Sequence, residues 1–123
     1  MKIKEVSIGD WVLAGGRPCR VTLAVLTVWS DNIKPLPITV EIIKKNGFKR
    51  EINFITDKLD DFYSCMDGRV EMYDDVTCIN SNNEWNVYVY DEDNYPIANC
   101  ELTYVHELQH ILRLCKIDKE IVV

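Results

Sequence analysis

The sequence predicts an α+β domain with a mainly antiparallel sheet and two helices. Short stretches rich in β-branched and aromatic residues alternate with turns rich in glycine and asparagine, which is typical of strands joined by hairpins. Two other stretches predict helices: residues 39–46 carry helix-capping residues, and about residues 103–115 have apolar residues at helical spacing. The chain has 123 residues and no repeat or linker, so a single domain over residues 1–123 is predicted.

The composition narrows the class of protein. Hydrophobic residues make up 47% of the chain and charged residues 28%, which predicts a folded, soluble domain. The net charge of -6 argues against general nucleic-acid binding, which needs a basic surface. No apolar run approaches the roughly 18 residues of a membrane span, and no secretion signal is predicted. The five cysteines are odd in number and form no CxxC pair, which indicates reduced thiols and a cytoplasmic location.

The N-terminal third predicts a β-hairpin. An apolar strand at residues 8–13 is followed by a glycine turn at 14–18 and a second strand at 20–25. The whole apolar run of residues 21–29 has the composition of a buried strand. SH3-like barrels often begin in this way, so an SH3-like barrel at the N-terminus is one architecture that the pattern allows.

The first predicted helix has clear capping signals. Thr39 is a suitable N-cap, Glu41 and Lys45 are spaced as a favourable pair, and Asn46-Gly47 is a typical C-cap. Further strands are predicted at residues 48–55, 69–73, 76–79, 85–90, 97–102 and 120–122, with an acidic helical turn or loop at 57–63 and a turn at 80–83. The polar tip at 91–96 lacks the glycine and the distal glutamate of a calcium-binding loop, so a solvated hairpin tip is predicted there.

The C-terminal helix carries a sequence pattern of zinc hydrolases, His106-Glu107-Leu108-Gln109-His110. In such enzymes two histidines one helical turn apart bind the same zinc ion, and the glutamate activates the metal-bound water. One hypothesis is therefore a minimal zinc-dependent hydrolase, with zinc on His106 and His110 and with Glu107 as the base.

Two observations argue against that hypothesis. A catalytic zinc normally has three protein ligands, but Arg113 and Lys116 occupy the positions where an extended motif has its glycine and third histidine. The apolar stripe of the helix lies opposite both histidines, which predicts that they belong to an outer polar face. The leading interpretation therefore has no catalytic residue, no metal ligand and no cofactor. The zinc alternative would need a third ligand from upstream, for which the candidates are Asp74, Asp75 and Cys78.

The aromatic residues offer another kind of site. Tyr88 and Tyr90 alternate with valines along one predicted strand, so a row of tyrosines faces one side of the sheet. With Trp85 they are the predicted binding surface, for a protein or a small ligand of unknown identity, and the oligomeric state is left open. A weaker third hypothesis is a small nucleic-acid-associated barrel that uses Lys44, Lys45, Lys49 and Arg50.

Three blocks of the sequence together resemble a known group of proteins. They are residues 9–12 (Gly-Asp-Trp-Val), 35–48 (from Pro-Leu-Pro-Ile-Thr to Asn-Gly-Phe) and 104–115 (from Tyr-Val-His-Glu to Leu-Cys). The set resembles small uncharacterised proteins of gut bacteria that are often carried by prophages and other mobile elements. The resemblance implies an accessory role in phage or mobile-element biology, without an assigned activity. The leading prediction is a small non-enzymatic binding protein of this type.

Overall fold

The structure, a computed structural model, describes residues 6–28, 33–51, 62–66, 68–74 and 84–123. These residues form an α+β fold with antiparallel sheets, as predicted, and contain three helices and eight strands. The strands are β1 (Trp11–Ala14), β2 (Arg17–Arg20), β3 (Ile33–Pro35), β4 (Lys49–Glu51), β5 (Phe62–Cys65), β6 (Val70–Asp74), β7 (Trp85–Tyr90) and β8 (Pro96–Leu102). The helices are α1 (Leu23–Val28), α2 (Val40–Lys45) and α3 (Val105–Leu114).

The chain divides into two compact units. The first contains residues 1–38 and 104–121 with Val123, and the second contains residues 39–103 with Val122. The first unit is therefore assembled from the two ends of the sequence, whereas the second is almost continuous. Within the described part of the chain, no helix is long and apolar enough to cross a membrane.

The first unit contains a three-stranded antiparallel sheet in the order β2-β1-β3. The predicted hairpin is confirmed as β1 and β2, which are joined at Gly15 and Gly16, both with positive φ. Val12, Val21 and Ile33 form a buried cluster. The third strand, β3, was not predicted, because its three residues include a proline and follow a polar stretch. The described strands of this sheet do not close on themselves, and an SH3-like barrel stays a prediction.

The predicted strand at residues 20–25 is wrong beyond Arg20. The chain instead forms helix α1, and the hydroxyl of Thr22 accepts a hydrogen bond from the backbone N–H of Val25 at 3.1 Å. This is the bond of an N-cap residue, which satisfies an amide that the first turn leaves without a partner. The local cap outweighs the β-propensity of the valines and threonines, which is a weak preference that depends on context.

The second unit contains a five-stranded antiparallel sheet in the order β4-β5-β6-β7-β8. The predicted hairpin of β7 and β8 is confirmed, and β6 confirms the strand predicted at 69–73. Along β7 the side chains alternate between buried and half-buried, so one face of the sheet belongs to the core. The buried residues of the unit include Val70, Met72, Val87 and Val89, each with no exposed surface.

Helix α2 begins and ends as predicted. The Thr39 hydroxyl accepts the backbone N–H of Ile42 at 3.2 Å, and Gly47 takes the left-handed conformation beyond the last turn. The Asn46 side chain is buried and bonds the backbone of Val122 twice, accepting its N–H at 2.8 Å and donating to its carbonyl oxygen at 2.7 Å. These bonds fix the end of α2 within the second unit.

Helix α3 confirms the second predicted helix. It ends where Lys116 adopts a positive φ, and the backbone N–H of Ile117 returns to the Leu112 carbonyl at 2.8 Å. The final strand predicted at 120–122 is wrong, because these residues join no sheet of the described chain. The strand predicted at 48–55 is confirmed over 49–51 by β4, whereas the turn or loop predicted at 57–63 is wrong at its last two residues, which begin β5. The remaining predictions for residues 52–61 and 75–83 lie outside the described residues.

Asp91, the residue that follows β7, stabilises the tip of the β7–β8 hairpin. The Asp91 carboxylate accepts the backbone N–H groups of Asp93 and Tyr95, each at 2.9 Å. This carboxylate satisfies backbone amides of the turn, as aspartate commonly does at such positions. The contacts agree with the predicted hairpin tip.

Candidate functional site

The zinc-hydrolase pattern lies on the first two turns of α3, where its glutamate has a structural contact. The Glu107 carboxylate accepts the backbone N–H of Tyr104, the N-cap residue, at 3.0 Å. A glutamate at the third helical position commonly satisfies the N-cap amide in this way. In this arrangement Glu107 stabilises the start of the helix.

The second histidine of the pattern is bonded to a buried carboxylate. Asp10, fully buried just before β1, lies 2.7 Å from His110 Nε2 through Oδ2 and accepts the Arg113 guanidinium at 2.9 Å through Oδ1. The backbone N–H of Ser7 also donates to Oδ2, at 2.7 Å. An ionised carboxylate can only accept hydrogen bonds, so His110 donates from Nε2. Asp10 is thus surrounded by three donors, which are the Arg113 guanidinium, the His110 ring and the backbone N–H of Ser7.

Gln109, between the two histidines, connects the same helix to the same segment of chain. Its Oε1 accepts the backbone N–H of Trp11 at 2.8 Å, and its Nε2 donates to the Gly9 carbonyl oxygen at 3.2 Å. The side-chain amide therefore pairs with backbone groups on both sides of Asp10, as a neighbouring peptide group would. A buried glutamine is well placed for this role because its amide supplies a donor and an acceptor.

The expectation that both histidines lie on an outer face is corrected. His106 and Gln109 are each only 7% exposed, although helical spacing placed His106 on the polar side. The His106 ring stacks on Tyr104 at a centroid distance of 6.0 Å and meets the edge of His110 at 5.7 Å. Part of the polar side of α3 is covered because the segment around Asp10 packs against it, where Gln109, His110 and Arg113 form hydrogen bonds with residues 9–11.

These contacts do not fit a hydrolytic zinc site. His110 Nε2 and the Glu107 carboxylate already have hydrogen-bond partners. The partner of His110, Asp10, also forms an ion pair with the Arg113 guanidinium. A cation at that position opposes the binding of a second cation. In the described part of the chain, no three potential ligands are grouped to hold a metal ion. The proposed third ligands Asp75 and Cys78, and the side chain of Asp74, lie outside the described residues.

The predicted binding surface divides between the two faces of β7. Tyr88 and Tyr90 lie on one face and are half-buried, whereas Trp85 is on the opposite row and only 2% exposed. Trp85 therefore belongs to the core and not to the surface that the tyrosines form. This separation follows directly from strand alternation, because residues 85 and 88 differ by an odd number of positions.

The tyrosines of β7 belong to a larger cluster on that face. Tyr73 of β6 meets Tyr88 edge-on at a centroid distance of 5.4 Å and stacks on Phe62 at 4.9 Å. The hydroxyls of Tyr73 and Tyr90 both donate to Glu71 Oε2, at 3.0 and 3.4 Å. We call Phe62, Glu71, Tyr73, Tyr88 and Tyr90 the aromatic face. Sequence reasoning found only the two tyrosines of β7, since the contribution of β5 and β6 depends on strand register.

Burial and the neighbouring carboxylate favour the neutral phenols of this face. Desolvation raises the pKa of Tyr73 well above its ordinary value of 10.0, and its hydrogen bond to Glu71 and the charge of Glu71 raise it further. Desolvation and the charge of Glu71 also raise the pKa of Tyr90.

The basic cluster of the third hypothesis does not form one continuous row. Lys44 and Lys45 lie in the last turn of α2, whereas Lys49 and Arg50 are neighbours on β4. Adjacent strand residues point to opposite faces of a sheet, so these two cations diverge.

Comparisons with protein-family models, with curated proteins and with solved structures gave no match to this chain.

The buried carboxylate yields the first prediction. Replacing Asp10 by asparagine removes the negative charge and places an N–H group among donors, so the free energy of unfolding should fall by about 2 kcal/mol or more. Urea denaturation measures this loss, with Asp118→Asn as a control because Asp118 is exposed. Equal stability of the two variants would contradict the structural role of Asp10.

Glu107 yields the second prediction, which separates a capping role from a catalytic one. Glu107→Gln keeps an oxygen acceptor and should change the unfolding free energy by less than about 0.5 kcal/mol, whereas Glu107→Ala should cost about 1 kcal/mol. The same tag-free samples should be assayed for zinc by elemental analysis, with His106→Ala as the comparison. About one zinc ion per chain, lost in His106→Ala, would instead favour the hydrolase.

The phenols of the aromatic face yield the third prediction. Because the folded state holds the Tyr73 proton more tightly than the unfolded state, the stability from this group is complete below pH 10.0 and falls as the pH rises further. The tyrosinate absorbance of the folded protein should therefore develop at a higher pH than that of the unfolded protein. In Glu71→Gln the raised pKa of Tyr73 should move down towards 10.0, and an unchanged titration curve would count against the contact.

Proposed function

We propose that this protein is a small non-enzymatic binding protein that contacts its partner through the aromatic face. The supporting observation is the half-buried tyrosine row of β7, which alternates with a row of fully buried core residues. Tyrosine is enriched at binding interfaces because a large rigid ring gains contact area at a small cost in conformational entropy. The proposed partner is a protein.

The contacts of α3 support the non-enzymatic part of the proposal. Glu107 and His110 are each bonded to another group of the protein, and His106 is packed between two rings. A minimal zinc-dependent hydrolase would have to break at least the contacts of Glu107 and His110. That alternative is tested by the zinc measurement on the Glu107 variants.

The biological setting of the proposal comes from the sequence resemblance. A role in phage or mobile-element biology agrees with a small acidic protein that acts through a partner. Cytoplasmic location, an SH3-like barrel in the first unit and a single domain belong to the same proposal.

The proposal is tested by comparing two tyrosine variants in a partner-capture experiment. Truncating a central interface tyrosine costs about 2 kcal/mol of binding free energy, so Tyr88→Ala should weaken capture of a specific partner more than tenfold. Tyr95→Ala is the matched control, since Tyr95 lies at the tip of the same hairpin and is 68% exposed. Proteins retained from a lysate of the source cells by the wild type and by both variants are quantified by mass spectrometry.

Each variant should first show the same thermal melt as the wild type, so that a loss of binding is not a loss of fold. The outcomes are then distinct. A partner that Tyr88→Ala loses and Tyr95→Ala keeps supports the aromatic face. A partner that both variants keep assigns binding to another surface, and the absence of any specific partner argues against a binding protein.

A further inference from the structure

We infer that the aromatic face binds a cation, namely an arginine or lysine side chain of a protein partner, over its tyrosine rings and beside Glu71. This inference rests on the proposed function, because it names the chemistry of the same surface. It commits to a basic segment of a protein and excludes an acidic or phosphate-bearing one.

The first support is the arrangement of groups around Glu71. Glu71 on β6 is directly opposite Tyr88 on β7, and Tyr73 lies two residues further along β6 on the same face. The two tyrosine hydroxyls that bond Glu71 both use Oε2. Among the described residues, Oε1 has no hydrogen-bond partner, so this half-buried carboxylate keeps an acceptor for a ligand.

The second support is the chemistry of the rings. A guanidinium or ammonium group is attracted to the negative face of an aromatic ring and, more strongly, to a carboxylate at the same place. Phenols that stay protonated keep the rings uncharged over the physiological pH range, and Glu71 then supplies the formal charge. The same two features oppose the binding of an anion.

The third support is the balance of charge across this face of the sheet. Strand register gives two rows of cross-strand neighbours. They are Glu51–Phe62–Tyr73–Asn86–Glu101 and Lys49–Ser64–Glu71–Tyr88–Asn99. These two rows contain three glutamates and one lysine, in a protein whose net charge is -6. Arg69, whose backbone pairs with that of Tyr90, adds a second cation.

Arg69 is the cation next to Glu71 in sequence, but it has a different contact. Its Nε donates to the Tyr90 carbonyl oxygen at 3.2 Å, and it forms no ion pair with Glu71 in the described structure. No ion pair among the described residues therefore neutralises the negative charge of Glu71. A basic segment of a partner complements this surface.

The inference is tested with a synthetic peptide in which arginine alternates with glycine, because alternate residues of an extended peptide project to one side. Binding is measured by calorimetry, and its site is measured by NMR. Arginine side-chain protons that lie over tyrosine rings should shift upfield. Glu71→Gln should weaken binding about tenfold, as expected for the loss of one charge-assisted contact.

Glu92→Gln is the matched control variant. It removes the same charge from the exposed tip of the β7–β8 hairpin, outside the aromatic face. Its affinity should stay within about twofold of the wild type, because exposed charges contribute little. Equal weakening in both variants would reduce the effect to general electrostatic attraction and overturn the inference. A peptide with glutamine in place of arginine should not bind.

Failure of this inference is distinguishable from failure of the proposed function. If Tyr88→Ala abolishes partner capture while the arginine peptide does not bind the folded wild type, the surface is correct and the cation is wrong. If Tyr88→Ala leaves partner capture unchanged, the proposed function fails, whatever the peptide does. A thermal melt that matches the wild type shows that Glu71→Gln keeps the fold.

Discussion

The Asp10 carboxylate is the contact on which the rest of the first unit depends. It is fully buried, and it is bonded to the guanidinium and imidazole of residues 103 and 100 positions later in the chain. A buried charge without partners is costly, so the segment before β1 and helix α3 have to meet in this geometry. The Gln109 amide then extends the contact along the backbone on both sides of Asp10. Trp11 is held as well, because its indole N–H donates to the Ile121 carbonyl oxygen at 2.7 Å.

This contact also involves the zinc-hydrolase pattern of α3, because one of its histidines is bonded to Asp10. A pattern of two histidines and a glutamate specifies metal chemistry only when its polar atoms face an open site. On α3 the glutamate caps the first turn of the helix, one histidine bonds Asp10, and the other is buried beside an aromatic ring. Of the three residues of the pattern, His110 attaches the helix to the segment that precedes β1, and Glu107 caps the start of the helix.

Local signals in the sequence predicted the local structure well. Thr39 and Gly47 fixed α2, and alternation along residues 85–90 separated the buried row from the tyrosine row. Helix α1 was missed because one threonine cap decided between helix and strand in an apolar run. The burial of His106 accompanies its ring contacts with Tyr104 and His110. The burial of Gln109 could not be predicted, since its hydrogen-bond partners come from the other end of the chain. The aromatic face was predicted only in part for the same reason. Its acidic residue, Glu71, lies beside the tyrosines of β7 because of the register between β6 and β7.

The nesting of the two units has a consequence for biosynthesis. The second unit is nearly continuous, so its sheet can begin to form while the ribosome is still adding residues. The first unit needs residues 104–121 before its amino-terminal hairpin finds Arg113, Gln109 and Ile121. Until then, the hairpin and the carboxylate at its entrance are without their helix, and contacts so distant in sequence form slowly. The nascent hairpin therefore waits longer for its packing partner than neighbouring strands of the second unit wait for one another.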